Sequence, residues 1–343
     1  MAGEVPVTDV RANIYAVADR AGVSIATVSR VQRGIGPVSA ETRERVLRAI
    51  EDLRYTPNGS GRALANQRHG AMGIVFPDLS GPYYSGVILG VEEQMVAAGE
   101  SLFILGTHGR EQSAELVLDL MSRVDGMIVM GRTISDEVVR ALAGSRVPLV
   151  LLARPPVDDI PSVRAEGVRP ARALTRHLVG HGHDRIAFVG DPASSPDAEE
   201  RWRGFAQATD GTAAELSAPF AAAFGEAEGR EAAAAALDAG ATALLCASDE
   251  LALGAYGAAR ARGLRIPHDI AITGWDDIQL ARFVSPSLTT VRQPLRELGA
   301  TAARTLFELI ADEGPGSRVL ASDVVVRASC GCEPPTEAQE ELR

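Results

Sequence analysis

From Met72 onward the hydrophobic positions follow one alternation: a short apolar run rich in β-branched residues, then a longer stretch with apolar residues at helical spacing. The runs read MGIVFP, SLFIL, GMIVM, VPLVLLA, RIAFVG, ATALLCA and IAITGW. The stretches between them include residues 83–98, 110–123, 168–181, 226–239 and 249–262. Strands alternating with helices predict parallel sheets, and right-handed crossovers put helices on both faces. The alternation lapses between about Ala153 and Val163, where ARPPVDDIPSV is rich in proline and acid, and then restarts. Two doubly wound α/β lobes follow from this, with ligand space beyond the carboxyl ends of their strands.

The first 70 residues follow a different pattern. Ile14, Val17, Ala18 and Ala21 repeat at helical spacing, and Gly22 supplies a turn open to positive φ. Ser24 is an N-cap whose hydroxyl meets the Thr27 amide, with Val28 and Val31 on the inward face of the helix it starts. A third helix begins after Ser39, with Glu41 and Glu44 in its first turn and Val46, Leu47, Ile50 and Leu53 facing inward. The whole is an all-α helix-turn-helix head. Pro57 ends the third helix, and Gly59 and Gly61 discourage regular structure beyond it. On the residues alone, 57–70 reads as a flexible linker, with room from Arg62 to Gln67 for one marginal helical turn that exposes Leu64.

Charge sharpens the division. The 343-residue chain carries a formal charge of −11, yet residues 1–70 hold ten arginines against seven acids, a net of +3, leaving −14 on the rest. A small basic head on a large acidic body is the asymmetry of a separate nucleic-acid-binding module. No apolar run approaches the roughly 18 residues that would cross a membrane, and no signal peptide is visible, so a cytoplasmic protein is expected. Cys246, Cys330 and Cys332 make no disulfide framework. The Cys330-Gly331-Cys332 spacing suggests a metal, but no second ligand pair accompanies it in sequence, and none is expected.

On the second helix the outward positions are Ile25, Ala26, Ser29 and Arg30. Arg30 suits bidentate contact with guanine, Ile25 and Ala26 suit a thymine methyl, and Ser24, Thr27 and Ser29 suit phosphates. In the body, the predicted strand ends collect Asp78, Tyr83, Tyr84, Arg201, Trp202, Phe224, Ser248, Asp249, Asp276 and Asp277. Carboxylates and an arginine fix hydroxyl groups in direction, while aromatic faces stack on the apolar side of a sugar or base. No Walker loop, HExxH or nucleophile elbow is present, which speaks against an enzyme. His181 and His183 of HGHD read as turn residues ahead of a strand.

With these residues in place, the chain resembles the lactose/galactose repressor family of bacterial regulators over essentially its whole length. The resemblance is carried by IYAVADRAGVSIATVSRV, VSAETRERVLRAIEDLRYTPN, GIVFPDLSGPYYSGVILGVEE, RVDGMIVM, HLVGHGHDRIAFVG, ASDELALGAYGAARARGLRIPHDIAITGWDDI and SPSLTTVRQPLRELG. It implies a homodimer on near-palindromic, double-stranded operator DNA. It also implies a body like periplasmic sugar-binding proteins, a sugar or related small-molecule effector in the cleft, and no cofactor. The limits drawn with it are a head over 1–56, a hinge over 57–70, a first lobe over 71–163 with about 293–317, a second lobe over 164–292 with about 318–330, and a tail over 331–343. The resemblance turns the linker into a hinge helix that forms on DNA and wedges Leu64 into the minor groove, with Asn58 among the DNA contacts. Gly59 and Gly61 predict a hinge less ordered than usual off DNA. Gln32 and Arg33 replace the usual leucine and asparagine, Arg33 adding a phosphate contact. Asp78, Arg201, Phe224 and Asp276 match effector positions; Ser248, Glu166-Gly167 and Ala153 depart from the pattern, implying an atypical sugar, a derivative or another polar metabolite. The alternatives are a solute-binding transport protein, opposed by the intact head, and a family regulator that has lost its effector response.

Overall fold

Three side-chain caps set the helices of the first unit, residues 1–70; the computed structural model describes residues 13–55, 68–210 and 217–332. Asn13 accepts from Ala16 N to start α1 (Ile14–Ala21), Ser24 from Thr27 N to start α2 (Ile25–Arg33), and Ser39 from Thr42 N to start α3 (Ala40–Asp52). Each such cap stabilises a helix by about 1 kcal/mol. Gly22, at φ 62°, makes the turn between α1 and α2. Val17, Ala18, Ala21, Val28, Val31, Val46 and Ala49 form the core, with Ile50 and Leu53 packed against it. Leu47, expected inside, is 52% exposed. Val46, Ala49, Ile50 and Leu53 make the i, i+3, i+4, i+7 stripe, and Leu47 sits about 100° around the helix from it. Asn58 and Leu64 lie outside the described residues, and of the expected hinge over 57–70 only 68–70 is described.

The second unit, residues 71–343, opens with β1 (Ala71–Phe76), α4 (Pro82–Ala98), β2 (Ser101–Gly106), α5 (Ser113–Met121), β3 (Gly126–Met130), α6 (Asp136–Ala143), β4 (Leu149–Leu152) and β5 (Ser162–Ala165). It continues with α7 (Val168–Gly180), β6 (Ile186–Val189), α8 (Pro196–Thr209), α9 (Glu226–Asp238), β7 (Ala243–Cys246), α10 (Asp249–Ala261) and β8 (Ala271–Thr273). β9 (Thr290–Arg292), α11 (Leu295–Ile310), β10 (Arg318–Leu320) and β11 (Asp323–Val325) complete it. Among the described residues no helix is long and apolar enough to cross a membrane.

Two parallel sheets result. The first runs β10-β5-β4-β3-β1-β2, the second β6-β7-β8, and β9 and β11 pair antiparallel. β1 is buried at every position: Met72, Ile74 and Phe76 meet the cluster under α4 and α11, while Val75 meets the one under α5 and α6. Burial on both faces is what a continuous apolar strand of a parallel sheet requires. α4 and α11 cross at two glycines: a Cβ on Gly90 would lie 1.9 Å from Arg296 O, and one on Gly299 2.1 Å from Val87 O.

Two lobe limits shift. β5 straddles the expected boundary at 163 and belongs wholly to the first sheet, and β10, assigned by sequence to the second lobe, pairs with β5 at that sheet's edge. Neither strand lies in a longer apolar run of the kind that marks β4, β6, β7 and β8. The chain therefore passes between the sheets three times, after β5, after β9 and after β10.

Candidate functional site

The strands of both sheets end on one cavity, open to solvent at its mouth. In the first sheet the order β2-β1-β3-β4-β5 reverses direction between β1 and β3, and a ligand crevice belongs at that switch point. There the loop after β1 delivers Asp78, the first turn of α4 delivers Tyr83 and Tyr84, and the turn after β3 delivers Arg132. From the second sheet come Ser195, Asp197 and Arg201 of the β6–α8 segment, Phe224, Ser248, Glu250 and Asp276.

Asp78 is held from its own loop. Its carboxylate accepts from Ser80 N at 3.0 Å and Ser80 Oγ at 2.7 Å, with Tyr84 Oη at 3.4 Å. Burial alone would raise its pKa, but the Ser80 hydrogen bonds outweigh this and hold it below the usual carboxylate range. Arg201 is buried: its guanidinium donates to Ala247 O, lies 3.8 Å from Asp197, and stacks 4.8 Å from the Trp275 ring centroid. Arg132 sits 5.0 Å from the Phe224 centroid, a second cation–π contact that fixes the ring's orientation. Asp276 accepts from Gln293 Nε2 at 2.6 Å, and burial pushes its pKa well above the ordinary value against the pull of Arg201. Burial likewise raises Asp197 and Glu250. Three lining residues, Arg132, Ala153 and Asp276, hold φ of 68°, 52° and 118°, backbone strain of the kind that collects at binding sites.

Asp78, Tyr83, Tyr84, Arg201, Phe224, Ser248 and Asp276 all line this cavity, as their positions at strand ends suggested. Asp249 does not. It is fully buried, accepting from Ile278 N at 2.8 Å and Thr290 Oγ1 at 2.6 Å, and so ties the loop after β8 to β9. Ser248 reaches the cavity, but its hydroxyl already accepts from Leu251 N as the N-cap of α10. Asp277 pairs with Arg327 and Arg292, and Trp202 stacks on Phe205, so both serve the second lobe's structure. Sequence reasoning missed Arg132, Asp197 and Glu250. Arg132 follows a strand run just as Asp78 does, and Asp197 precedes Arg201 by one helical turn; both signals were present.

In the first unit Ser24, Ile25, Ala26 and Arg30 are exposed along one side of α2, with Thr27 and Ser29 half-buried. Ser24 Oγ lies 3.0 Å from Thr27 Oγ1 while capping the helix, so these hydroxyls are partly engaged within the chain. α2 runs through Gln32 to Arg33 and closes at Gly34, φ 67°, so the unusual Gln32 does not shorten it. Away from the cavity, Cys330 and Cys332 do have a second pair of candidate ligands beside them, contrary to the sequence reading. His177 and His181 at the end of α7 lie against them, although some 150 residues separate the pairs.

Residues 13–58 match the model for bacterial regulatory proteins of the lacI family, and residues 175–330 match a periplasmic binding protein-like domain. The chain is 33% identical to the transcriptional repressor PurR of Pasteurella multocida over 93% of its own length and 98% of that protein's. It is similar to the lac repressor dimer bound to operator and the anti-inducer ONPF, at 29% identity and a TM-score of 0.81, covering 93% of this chain and 99% of that one. The complex of the transcriptional regulator CelR with cellobiose aligns at 30% identity and a TM-score of 0.71, covering 93% of this chain and all of that one.

Proposed function

The chain belongs to the lacI family of bacterial regulatory proteins, and from that premise we propose that it is a dimeric repressor released from or locked onto its operator by a neutral, hydroxyl-rich ligand. It is a DNA-binding transcriptional regulator, not an enzyme. The ligand reading rests on the cavity. Four carboxyl groups, Asp78, Asp197, Glu250 and Asp276, share it with two guanidinium groups, Arg132 and Arg201, and with the Phe224 ring. Carboxyl groups hydrogen-bond to ligand hydroxyls both when ionised, as favoured for Asp78, and when protonated, as burial favours for Asp276. The cellobiose held by CelR supports the same class. A ligand switches the protein only if it favours one arrangement of the two lobes, since equal affinity for both shifts nothing.

On the DNA side, Ile25, Ala26 and Arg30 are the base-reading residues, with Ser24, Thr27, Ser29 and Arg33 at phosphates and Asn58 and Leu64 in the hinge. For the dimer, edge strand β2 exposes Phe103 and Ile104, and the adjoining α4 and α5 expose Leu89, Val96 and Leu118. An unpaired apolar edge of this size is a contact surface, and an isologous pairing would close it.

The test is a gel-shift series against the promoter of the protein's own gene at two salt concentrations, with Arg30→Ala alongside. Salt-dependent binding is expected, with Arg30→Ala weakened by about 1–3 kcal/mol at one base pair of each half-site. No shift at low salt would sink the regulator reading at this promoter. In parallel, a panel of neutral mono- and disaccharides is screened by thermal unfolding. A ligand at a hundred times its Kd stabilises by about 2.7 kcal/mol, and a panel with no such effect would rule out the sugar class.

A further inference from the structure

His177 and His181 lie one turn apart at the C-terminal end of α7 and so share a face, their ring centroids 4.7 Å apart. The last described segment of the chain brings Cys330 and Cys332 against that face. His177 Nε2 is 3.2 Å from Cys330 Sγ and 3.6 Å from Cys332 Sγ, and His181 Nε2 is 3.2 Å from Cys332 Sγ. All four donor atoms fall within 4.8 Å of one another. A tetrahedral zinc ion, with Zn–S near 2.3 Å and Zn–N near 2.0–2.1 Å, holds its ligand atoms roughly 3.3–3.8 Å apart. The widest separation in the observed set has to close by roughly 1.0–1.5 Å to enclose one.

We propose that His177, His181, Cys330 and Cys332 form a closed structural zinc site. Two sulfurs and two imidazoles are the donor set of tetrahedral zinc, and four protein ligands leave no open position for catalysis. The histidine spacing is that of familiar zinc modules, while the cysteine spacing is one residue shorter than usual. Gly331 accounts for that: at φ 95° it turns the backbone so that both thiols reach the same point, a conformation other residues rarely adopt. The surroundings hold the ligands in place. Thr289 Oγ1 lies 3.1 Å from Cys330 Sγ, and Ser329 is pinned on both sides, its N donating to Ser287 O at 3.0 Å and its Oγ accepting from Thr289 N at 2.8 Å. Cys330 is buried, His177 and Cys332 are half-buried and His181 is exposed, so an ion can enter from solvent and still be shielded. The metal would staple the end of the chain to α7, across 153 residues of sequence.

The full-length protein, purified under reducing conditions, is stripped with a chelator and titrated separately with Zn2+ and Co2+. Uptake of one equivalent of zinc per chain, a rise in melting temperature and the absorption of tetrahedral, thiolate-bound cobalt are expected. Cys332→Ser and His181→Asn alter the more accessible ligands, and both should fold by circular dichroism yet melt at the temperature of the stripped protein and lose the cobalt spectrum. Failure of the stripped wild type to take up zinc at micromolar concentration would overturn the site. So would equal uptake by both variants, or a Cys330–Cys332 disulfide in place of metal in the reduced preparation.

Discussion

Asp249 and Asp276 occupy equivalent places in the sequence, each just beyond an apolar run, yet do opposite work. Asp249 gives both carboxylate oxygens to the chain, to Ile278 N and Thr290 Oγ1, and burial raises its pKa from 3.8 to about 7. Asp276 gives one oxygen to Gln293 and faces the cavity. Because folded Asp249 holds its proton more tightly than the unfolded chain does, its contribution is fully present below about pH 4 and is lost as pH rises through about 7. We therefore expect the stability advantage of the wild type over Asp249→Asn to shrink steadily across that window. Urea unfolding at a series of pH values measures it, and a constant difference would exclude the buried ionisation. Sequence could not separate the two aspartates, because the partner that claims Asp249 is 41 residues away on β9. Where the deciding neighbour was local, as for the Ser24 cap on Thr27, the residues were legible outright.

Strands set in long apolar runs, such as β1, β3 and β7, announce themselves by pattern; the short ones next to the crossings between lobes do not. β5, β9, β10 and β11 have three or four residues each, and their pairing, not their composition, makes them strands. One of these crossings touches the ligand site directly. Gln293 follows β9 and precedes α11, so it lies on the path from the second sheet to a helix packed on the first. Its amide donates to Asp276, so a cavity residue is hydrogen-bonded directly to the crossing segment. We expect Gln293→Ala to leave operator affinity without ligand nearly unchanged and to reduce the ligand's effect on it by about 0.5–2 kcal/mol. Operator Kd with and without saturating sugar gives the coupling for each protein. Undiminished coupling in the variant would show that the switch runs elsewhere.

Across the whole molecule, the −14 body and the +3 head divide repulsion and attraction for DNA between them, a split that opposes non-specific binding through the body. In the dimer proposed above, binding two half-sites together depends on that pairing. Phe103→Lys places a charge on the exposed edge of β2, and we expect sedimentation to show monomer at concentrations where the wild type is dimeric. Operator affinity should fall at least tenfold as the half-sites are engaged singly. An unchanged dimer would move the interface away from β2. The three crossings also set an order of birth. Residues 168–291 supply nearly all of the second sheet and its helices in one stretch, whereas the first sheet waits for α11 and β10, made from residues 295–320. On the ribosome, Met72, Ile74 and Phe76 emerge early but have no α11 to bury them until most of the chain has followed. Domains usually mature in the order in which they are translated. Here the lobe begun first is still open when nearly all of the second has been made, and its apolar sheet face is what a chaperone would meet in the meantime.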